Sequence, residues 1–591
     1  MKPHSFPMAI SGLLRHKAAD DVAADLHRCK SKGYTGILLE DDYVGWSDGP
    51  DPDQGFQGSW RLFNIFDFTL SVRAELYRSY LRRICGLCGE VGLEVYVSFW
   101  LPKLNREFHE YLTLRHPEAI GRSRNFKAEL PTLCTCADGG GLNILHEIVV
   151  KFLRDFPGVR GLMVSTEDNL ARNCDDLCAH AHGTAKAAHA ANMYATVQRA
   201  MADAGTEAQL LLFPWFWEKD FVDAIVPRLH GEYLVVTVME QGSLQKFGAW
   251  EQAEPLFDSS IVSGEPGPAF GDWLGRVGAS RIIDMVPAGT GIDDFFLANP
   301  PYPGRLHRRF RCLAERGVHR FMDHLCGAHC AGSLEEAVRL FDCKPALSED
   351  AFLEELATSM YAREAARPWA VRGWRSFDRG FGLLPIGLGG TGCREISGRF
   401  GPAWSMCIAT PIVRAAYGVG DRGHEIQWFS PYNFFNRPLA SRLEIAFRRV
   451  LEHWVESARC LAVANSLEGS SPASEREAAS AEAHVLSVLS VLNWCAAAVA
   501  AHSIGGSQPD CFDGIIRGEI ALTRRFMALL RAHPWLWANN CWHPDRTPLS
   551  QKGLGFLPED TDAFQAKLRV MGAGQDDAFQ GRSQPECAGR P

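Results

Sequence analysis

Residues 142–169 read LNILHEIVVKFLRDFPGVRGLMVSTEDN, and this stretch decides the fold. Apolar residues recur at helical spacing over Leu142–Phe156, and Pro157 with Gly158 then ends the helix. The following run, Val159–Thr166, is short and rich in Val, Leu and Met, which is typical of a parallel strand buried on both faces. A helix that leads through a tight turn into a buried strand is the repeating unit of an α/β fold.

The same alternation recurs along the first 330 residues. Short apolar runs predict eight strands, over Pro7–Leu13, Thr35–Glu40, Leu93–Trp100, Val159–Thr166, Gln209–Pro214, Tyr233–Met239, Arg281–Val286 and Val318–Asp323. Helices are predicted over Ala18–Lys32, Val72–Val91, Leu142–Phe156, Thr184–Ala204 and Tyr302–Arg316. Eight strands that are each followed by a helix predict a closed, TIM-like (β/α)8 barrel. An open doubly wound sheet is the alternative, although no glycine-rich dinucleotide-binding turn follows the first strand.

After residue 330 the sequence becomes mainly helical. Helices are predicted over Leu334–Phe341, Glu349–Ala366, Leu439–Asn465, Glu475–Ala501 and Gly518–His533. We therefore expect a catalytic barrel over residues 1–330, followed by a mainly α-helical C-terminal domain over 331–570. This second domain has a loop-rich insert near 380–437. Residues 571–591 contain few apolar side chains and are expected to form a disordered tail.

Composition excludes several classes of partner. Lys and Arg number 61 and Asp and Glu 70, so the net charge of −9 gives no basic surface for nucleic acid or an anionic membrane. No signal peptide is recognised at Met1–Leu14. The longest weakly polar stretch, Val485–Ala501, contains Ser and Asn and is expected to be a buried helix. The expected location is the cytoplasm.

Acids and aromatic residues concentrate where the predicted strands end. In a barrel of parallel strands these positions share one rim, which is where the chemistry of this fold lies. Indole rings stack on the apolar face of a sugar, and carboxylates bind its hydroxyls, so the pattern predicts a small carbohydrate substrate. The predicted substrate-binding residues are Glu40, Asp41, Trp46, Trp100, Asp168, Trp215, Trp217, Asp284 and His324.

Two carboxyl groups are needed to hydrolyse a glycosidic bond. Glu167 is the predicted proton donor, because burial and the neighbouring charge of Asp168 favour a protonated carboxyl. Glu240, after the sixth strand, is the predicted base or nucleophile. The alternative interpretations are a helix cap for Glu167 and Asp168, and an ordinary loop acid for Glu240.

The sequence has 18 cysteines, some of them in short clusters. Cys174, Cys178, His180 and His182 offer four zinc ligands within nine residues, but their spacing is not that of a recognised zinc finger. Buried free thiols are the favoured interpretation of these residues. We expect no cofactor and no catalytic metal.

Residues 133–169 resemble the central part of barrel glycoside hydrolases of the β-N-acetylhexosaminidase and α-glucuronidase type, in which a helix leads into a strand that ends in the acid residue. The run Pro300–Arg305, followed by Gly317 and a strand, resembles the last unit of such barrels. A helical domain after the barrel is similar to the α-glucuronidase arrangement. The resemblance implies hydrolysis of a terminal sugar. In the hexosaminidase pattern Asp precedes Glu, whereas here Glu167 precedes Asp168, so assistance by a substrate acetamido group is not implied.

Two other functional classes stay open. One is a metal-dependent barrel hydrolase with Cys and His ligands, which would carry His-x-His after the first strand, where this sequence has Arg15 and His16. The other is a non-catalytic barrel protein that binds carbohydrate.

Overall fold

The structure is a computed structural model that describes residues 8–12, 19–39, 72–101, 106–125, 128–165, 174, 178, 185–214, 219–247, 250–255, 264–286, 299–323, 332–384, 437–501 and 509–537. Most of the predicted loop-rich insert and all of the predicted tail lie outside these residues.

The described residues form twelve strands. In chain order they are β1 Met8–Gly12, β2 Gly36–Leu39, β3 Glu94–Trp100, β4 Ile120–Asn125, β5 Ala128–Leu133, β6 Val159–Ser165, β7 Gln209–Phe213, β8 Tyr233–Thr237, β9 Leu244–Phe247, β10 Trp250–Pro255, β11 Ile282–Val286 and β12 Arg320–Asp323. Eight of them coincide with the predicted strands. The other four form two antiparallel hairpins, β4–β5 and β9–β10, which the sequence did not predict.

The eight predicted strands pair in parallel and close into a barrel in the order β1, β2, β3, β6, β7, β8, β11 and β12. The first strand closes the ring, because Met8 lies opposite Arg320 of β12 while Ile10 lies opposite Gly36 of β2. The (β/α)8 prediction is therefore confirmed, and the open-sheet alternative is wrong.

Apolar side chains from every second position fill the barrel interior. They include Leu38, Tyr96, Met163, Leu211, Phe213, Leu234, Val236, Val238, Ile283, Met285 and Met322. Burying a side chain of this size contributes about 1.5–3 kcal/mol. The Tyr96 ring occupies space that glycines leave open, since an added Cβ at Gly36 or Gly161 would lie 2.9 Å or 2.8 Å from that ring.

Helices surround the barrel and continue after it. In chain order they are α1 Ala19–Ser31, α2 Val72–Val91, α3 Arg106–Arg115, α4 Gly141–Asp155, α5 Lys186–Ala204, α6 Lys219–Ile225, α7 Pro268–Val277, α8 Pro303–Glu315, α9 Ser333–Cys343, α10 Glu349–Met360, α11 Arg367–Phe381, α12 Arg437–Glu468, α13 Pro472–Ala501 and α14 Pro509–Ala532. The amphipathic α4 packs on the barrel wall through Phe152. Its ring centroid lies 5.3 Å from that of Phe99 in a T-shaped arrangement. None of the helices that the structure describes is long and apolar enough to cross a membrane.

The chain folds as two compact units. The first comprises Met1–Met239, Pro268–Val286 and Cys312–Gly327, and it contains the whole barrel. The second comprises Glu240–Gly267, Pro287–Arg311 and Ala328–Pro591. Its described part is mainly helical, as the sequence predicts for the residues after the barrel.

Buried carboxylates accept hydrogen bonds from several chain segments in the core of the second unit. Glu477 on α13 is fully buried, and its carboxylate accepts hydrogen bonds from Asn299 Nδ2 at 2.6 Å, the Ser333 N–H at 2.8 Å and Trp374 Nε1 at 2.7 Å. Burial raises the pKa of Glu477. Because each donor comes from a different chain segment, this one carboxyl group fixes their mutual positions.

A second buried carboxylate accounts for the presence of Ser and Asn within the stretch Val485–Ala501. Ser490 Oγ and Asn493 Nδ2 on α13 donate to the buried Glu519 carboxylate of α14, at 2.6 Å and 3.0 Å. The expectation that this stretch is a helix within the fold is confirmed.

His307 on α8 is buried against aromatic rings. Its Nε2–H donates to the Leu347 carbonyl at 3.0 Å, and its ring centroid lies 4.4 Å from that of Phe352. Burial lowers the pKa of His307 to about 4 from its ordinary value of 6.5. As the pH falls below 6.5, the unfolded chain therefore takes up a proton that the folded chain does not bind, and stability falls until the pH reaches about 4.

The His307→Gln variant is expected to lose less stability in acid than the wild type. At about pH 5 the wild type should lose about 2 kcal/mol through this histidine alone, and glutamine removes the titration while keeping an N–H donor for Leu347. Urea unfolding at about pH 7.5 and about pH 5 measures the difference. The exposed His27 on α1 provides the control variant His27→Gln. Equal pH dependence of His307→Gln and the wild type would contradict the prediction.

Candidate functional site

The structure describes only part of the predicted site. Eight of the predicted residues lie outside the described residues: Glu40, Asp41, Trp46, Glu167, Asp168, Trp215, Trp217 and His324. Trp100 is the last residue of β3, but its side chain is not described. Glu240 and Asp284 are described with their side chains.

The carboxyl ends of three neighbouring strands lie level with one another. Ser165, the last residue of β6, lies opposite Trp100 of β3 on one side and Phe213 of β7 on the other. The Leu101 N–H also donates to the Ser165 carbonyl at 2.9 Å. Glu167 follows two residues after Ser165 in the chain, so the segment that carries it starts from this common rim.

Glu240 follows β8 by three residues and forms a buried ion pair. Its Oε1 lies 3.1 Å from Arg309 Nη1, and neither side chain is exposed to any extent. The same oxygen accepts a hydrogen bond from the Gly264 N–H at 3.0 Å. Buried carboxylates are normally paired and hydrogen-bonded in this way. In this conformation Glu240 has no surface open to a ligand, and its role as base or nucleophile stays a prediction.

Asp284 lies in β11 between two residues that point into the barrel core, Ile283 and Met285. Because side chains alternate along a strand, its carboxylate lies on the opposite, outer side of the barrel wall. There Oδ1 accepts a hydrogen bond from the Met239 N–H at 2.8 Å. In this placement Asp284 holds the segment after β8, and its predicted contact with the sugar stays a prediction.

Four cysteines of the barrel unit meet in one buried cluster: Cys134, Cys136, Cys174 and Cys178. Their Sγ atoms all lie within 4.8 Å of one another. Cys178 Sγ is 3.9 Å from Cys134 Sγ and 3.7 Å from Cys136 Sγ. Cys134 and Cys136 follow the β4–β5 hairpin, whereas Cys174 and Cys178 follow β6. This cysteine cluster therefore joins the loops that follow two adjacent barrel strands.

Glycines make room for the cysteine cluster. An added Cβ at Gly121 would lie 2.4 Å from Cys174 Sγ, and one at Gly139 would lie 2.2 Å from Cys134 Sγ. Both distances are shorter than non-bonded atoms tolerate, so larger residues would displace the thiols. The Thr135 N–H points at Cys174 Sγ from 3.3 Å, which gives this sulfur a backbone donor.

One thiolate is favoured within the cluster. Hydrogen bonds from the Cys134, Cys136 and Cys178 thiols hold the pKa of Cys174 far below its usual value. The same hydrogen bonds to Cys174 raise the pKa of Cys134 and of Cys136, since these two act as proton donors. Four sulfur atoms this close to one another form a ligand set that suits a soft cation.

The cysteine cluster differs from the grouping that the sequence suggested. Cys174 and Cys178 come together with Cys134 and Cys136, which lie about 40 residues earlier in the chain. His180 and His182 lie outside the described residues. A signal was present in the sequence, because one Cys pair follows the third barrel strand and the other follows the fourth, and these strands are neighbours in a barrel.

No family model and no curated protein matches this sequence. Solved structures do match. One is an O-GlcNAc hydrolase mutant of Thermobaculum terrenum, with 9% identity over 98% of each chain and a TM-score of 0.41. Another is CpGH89 of Clostridium perfringens in complex with its substrate GlcNAc-α-1,4-galactose, with 11% identity over 99% of this chain and 65% of that chain and a TM-score of 0.49.

A third match is the catalytic domain of the β-amylase of Paenibacillus polymyxa, with 10% identity over 58% of this chain and 99% of that chain and a TM-score of 0.35. The structures named here are glycoside hydrolases. With identities of 9–11% and TM-scores below 0.5, the likeness carries no conclusion about this chain.

Proposed function

We propose that the chain is a glycoside hydrolase that removes a terminal sugar by carboxylate acid/base chemistry. The observation that carries the proposal is the closed barrel in which β3, β6 and β7 end level with one another. The segments that carry Glu167 and the tryptophans after β7 start from that rim, which is where barrels of this class hold their chemistry.

The proposed roles follow from the chemistry of the side chains. Glu167 donates a proton to the leaving oxygen while the bond to the anomeric carbon breaks, and Glu240 activates water or attacks that carbon itself. Carboxyl groups about 5 Å apart would give retention of configuration, and a separation of about 6.5–9.5 Å would give inversion. The substrate contacts are assigned to Asp168, Glu40, Asp41 and His324 for hydroxyl groups, and to Trp46, Trp100, Trp215 and Trp217 for stacking.

A panel of aryl glycosides tests the proposal with the full chain. The panel covers α- and β-linked hexosides, N-acetylhexosaminides and glucuronides, and release of the phenol is followed by absorbance. We expect hydrolysis of at least one member. The Glu167→Gln protein, purified in the same way, is the control for contaminating glycosidases, because a contaminant would be equally active in both preparations.

A non-catalytic carbohydrate-binding barrel is the second candidate. The burial of Glu240 in its ion pair with Arg309 favours it, because the described residues at the end of β8 present no second carboxylate that is open to a ligand. Calorimetric binding of a sugar, with no hydrolysis of any member of the panel, would establish this candidate and refute the hydrolase.

A further inference from the structure

We infer that Cys134, Cys136, Cys174 and Cys178 bind one zinc ion as a structural tetrathiolate centre. This inference goes beyond the proposed function and does not depend on it.

The sulfur positions have the dimensions of such a centre. Zinc–sulfur bonds of about 2.3 Å in a tetrahedron place the sulfur atoms roughly 3.8 Å apart. The two separations from Cys178 Sγ are 3.7 Å and 3.9 Å, and all four sulfur atoms lie within 4.8 Å of one another. One ion at the centre of the four would therefore be reached by every Sγ with little movement.

Disulfides, simple packing and an iron–sulfur cluster each fit the cysteine cluster less well than zinc does. The four residues are free thiols, so disulfide pairing does not account for their approach. Cys29 and Cys88 are also buried, but they do not belong to this cluster, in which four sulfur atoms lie within 4.8 Å of one another. Iron–sulfur clusters place several irons between their cysteines and need wider spacing than one ion does. Hard cations such as Mg²⁺ and Ca²⁺ prefer oxygen ligands, whereas a tetrahedron of four cysteine sulfur atoms is a typical structural zinc site.

A centre with four protein ligands has a structural role. Catalytic zinc sites keep one position open for water or substrate, whereas four cysteines complete the tetrahedron. The cysteine cluster therefore lends no support to the metal-dependent hydrolase alternative.

The centre would tie together the loops after β3 and β6. Residues 166–173 run between Ser165, which is fixed in the barrel, and Cys174, which is fixed in the cluster. This segment contains Glu167 and Asp168. Zinc would thus hold both ends of the segment that carries the proposed proton donor, and this last consequence, unlike the zinc assignment, rests on the proposed function.

Metal content tests the assignment with the full chain. The protein is purified under reducing conditions without chelators, and its zinc content is measured by inductively coupled plasma mass spectrometry. We expect one zinc per chain in the wild type and a loss of most of it in Cys136→Ser and in Cys174→Ser. Cys88→Ser, at a buried thiol outside the cluster, is the matched control and should keep one zinc per chain.

A second measurement covers the case in which the cluster variants do not fold. Wild-type protein grown with cobalt should show the sulfur-to-cobalt charge transfer and the intense visible bands of a tetrahedral tetrathiolate site. The assignment is overturned if the wild type contains no zinc and takes none up from solution, if it contains iron instead, or if folded cluster variants keep their zinc. None of these readings depends on glycosidase activity, so the two proposals fail separately.

Discussion

The Glu167→Gln variant is expected to hydrolyse glycosides with poor leaving groups about 100- to 10,000-fold more slowly than the wild type. This is the usual contribution of a general acid, and glutamine is nearly isosteric with glutamate but has no acidic proton to give to the departing oxygen. The measurement is kcat and kcat/KM on an alkyl glycoside of the sugar that the wild type releases from the panel. The melting temperature should change little, because glutamine has nearly the same size and shape as glutamate.

Leaving-group chemistry separates an acid from a residue that only supports the fold. The dinitrophenolate of a dinitrophenyl glycoside leaves without being protonated. Glu167→Gln should therefore retain far more of its activity on that substrate than on an alkyl glycoside. Glu207→Gln is the matched control, since Glu207 is exposed and precedes β7 at the other end of the barrel. Wild-type turnover of Glu167→Gln on the alkyl glycoside, or an equal loss on both substrates, would remove Glu167 from the role of proton donor.

The Glu240→Ala variant is expected to lower the free energy of unfolding by about 3–5 kcal/mol. Deletion of the carboxylate removes the charge opposite the fully buried Arg309 guanidinium, and breaking a buried pair from one side has a cost of this size. Replacing both partners, as in Glu240→Leu with Arg309→Met, should return the stability to near that of the wild type. Urea unfolding of the two variants and the wild type measures these differences.

The double variant also decides what Glu240 does. If Glu240 is the second catalytic carboxylate, the double variant is folded but does not hydrolyse glycosides, and this is the result we expect. Hydrolysis by a folded double variant would restrict Glu240 to holding the structure. Glu482→Ala is the control for an ordinary ion pair, since Glu482 meets Arg525 at the surface, where such pairs contribute about 0–1 kcal/mol.

The barrel was predictable because each of its strands is a short apolar run between helices. The two hairpins were not, and their composition gives the reason. β4 reads IGRSRN and the facing β5 contains Pro131, so neither shows the alternation or the apolar run by which strands are recognised. Helix α11 was also missed, although its buried Trp374, Phe377 and Phe381 recur at helical spacing, because Gly and Arg residues lie between them.

The candidate site was less predictable than the fold. The sequence places acids at strand ends, but it does not show which side of the barrel wall a carboxylate occupies, and Asp284 lies on the outer side. It also does not show that Arg309, far along the chain, reaches Glu240. Prediction of the cysteine cluster requires knowledge of which loops are neighbours, and this follows only once the order of the barrel strands is known.

The position of β1 has a consequence for the nascent chain. Met8 leaves the ribosome before all the other barrel strands, but its partner Arg320 emerges only after those strands have been synthesised. Until then the growing sheet has two open edges, and such edges recruit other chains. Chaperones that shield these edges during translation should therefore raise the yield of this protein in cells, and fragments that end before β12 should aggregate.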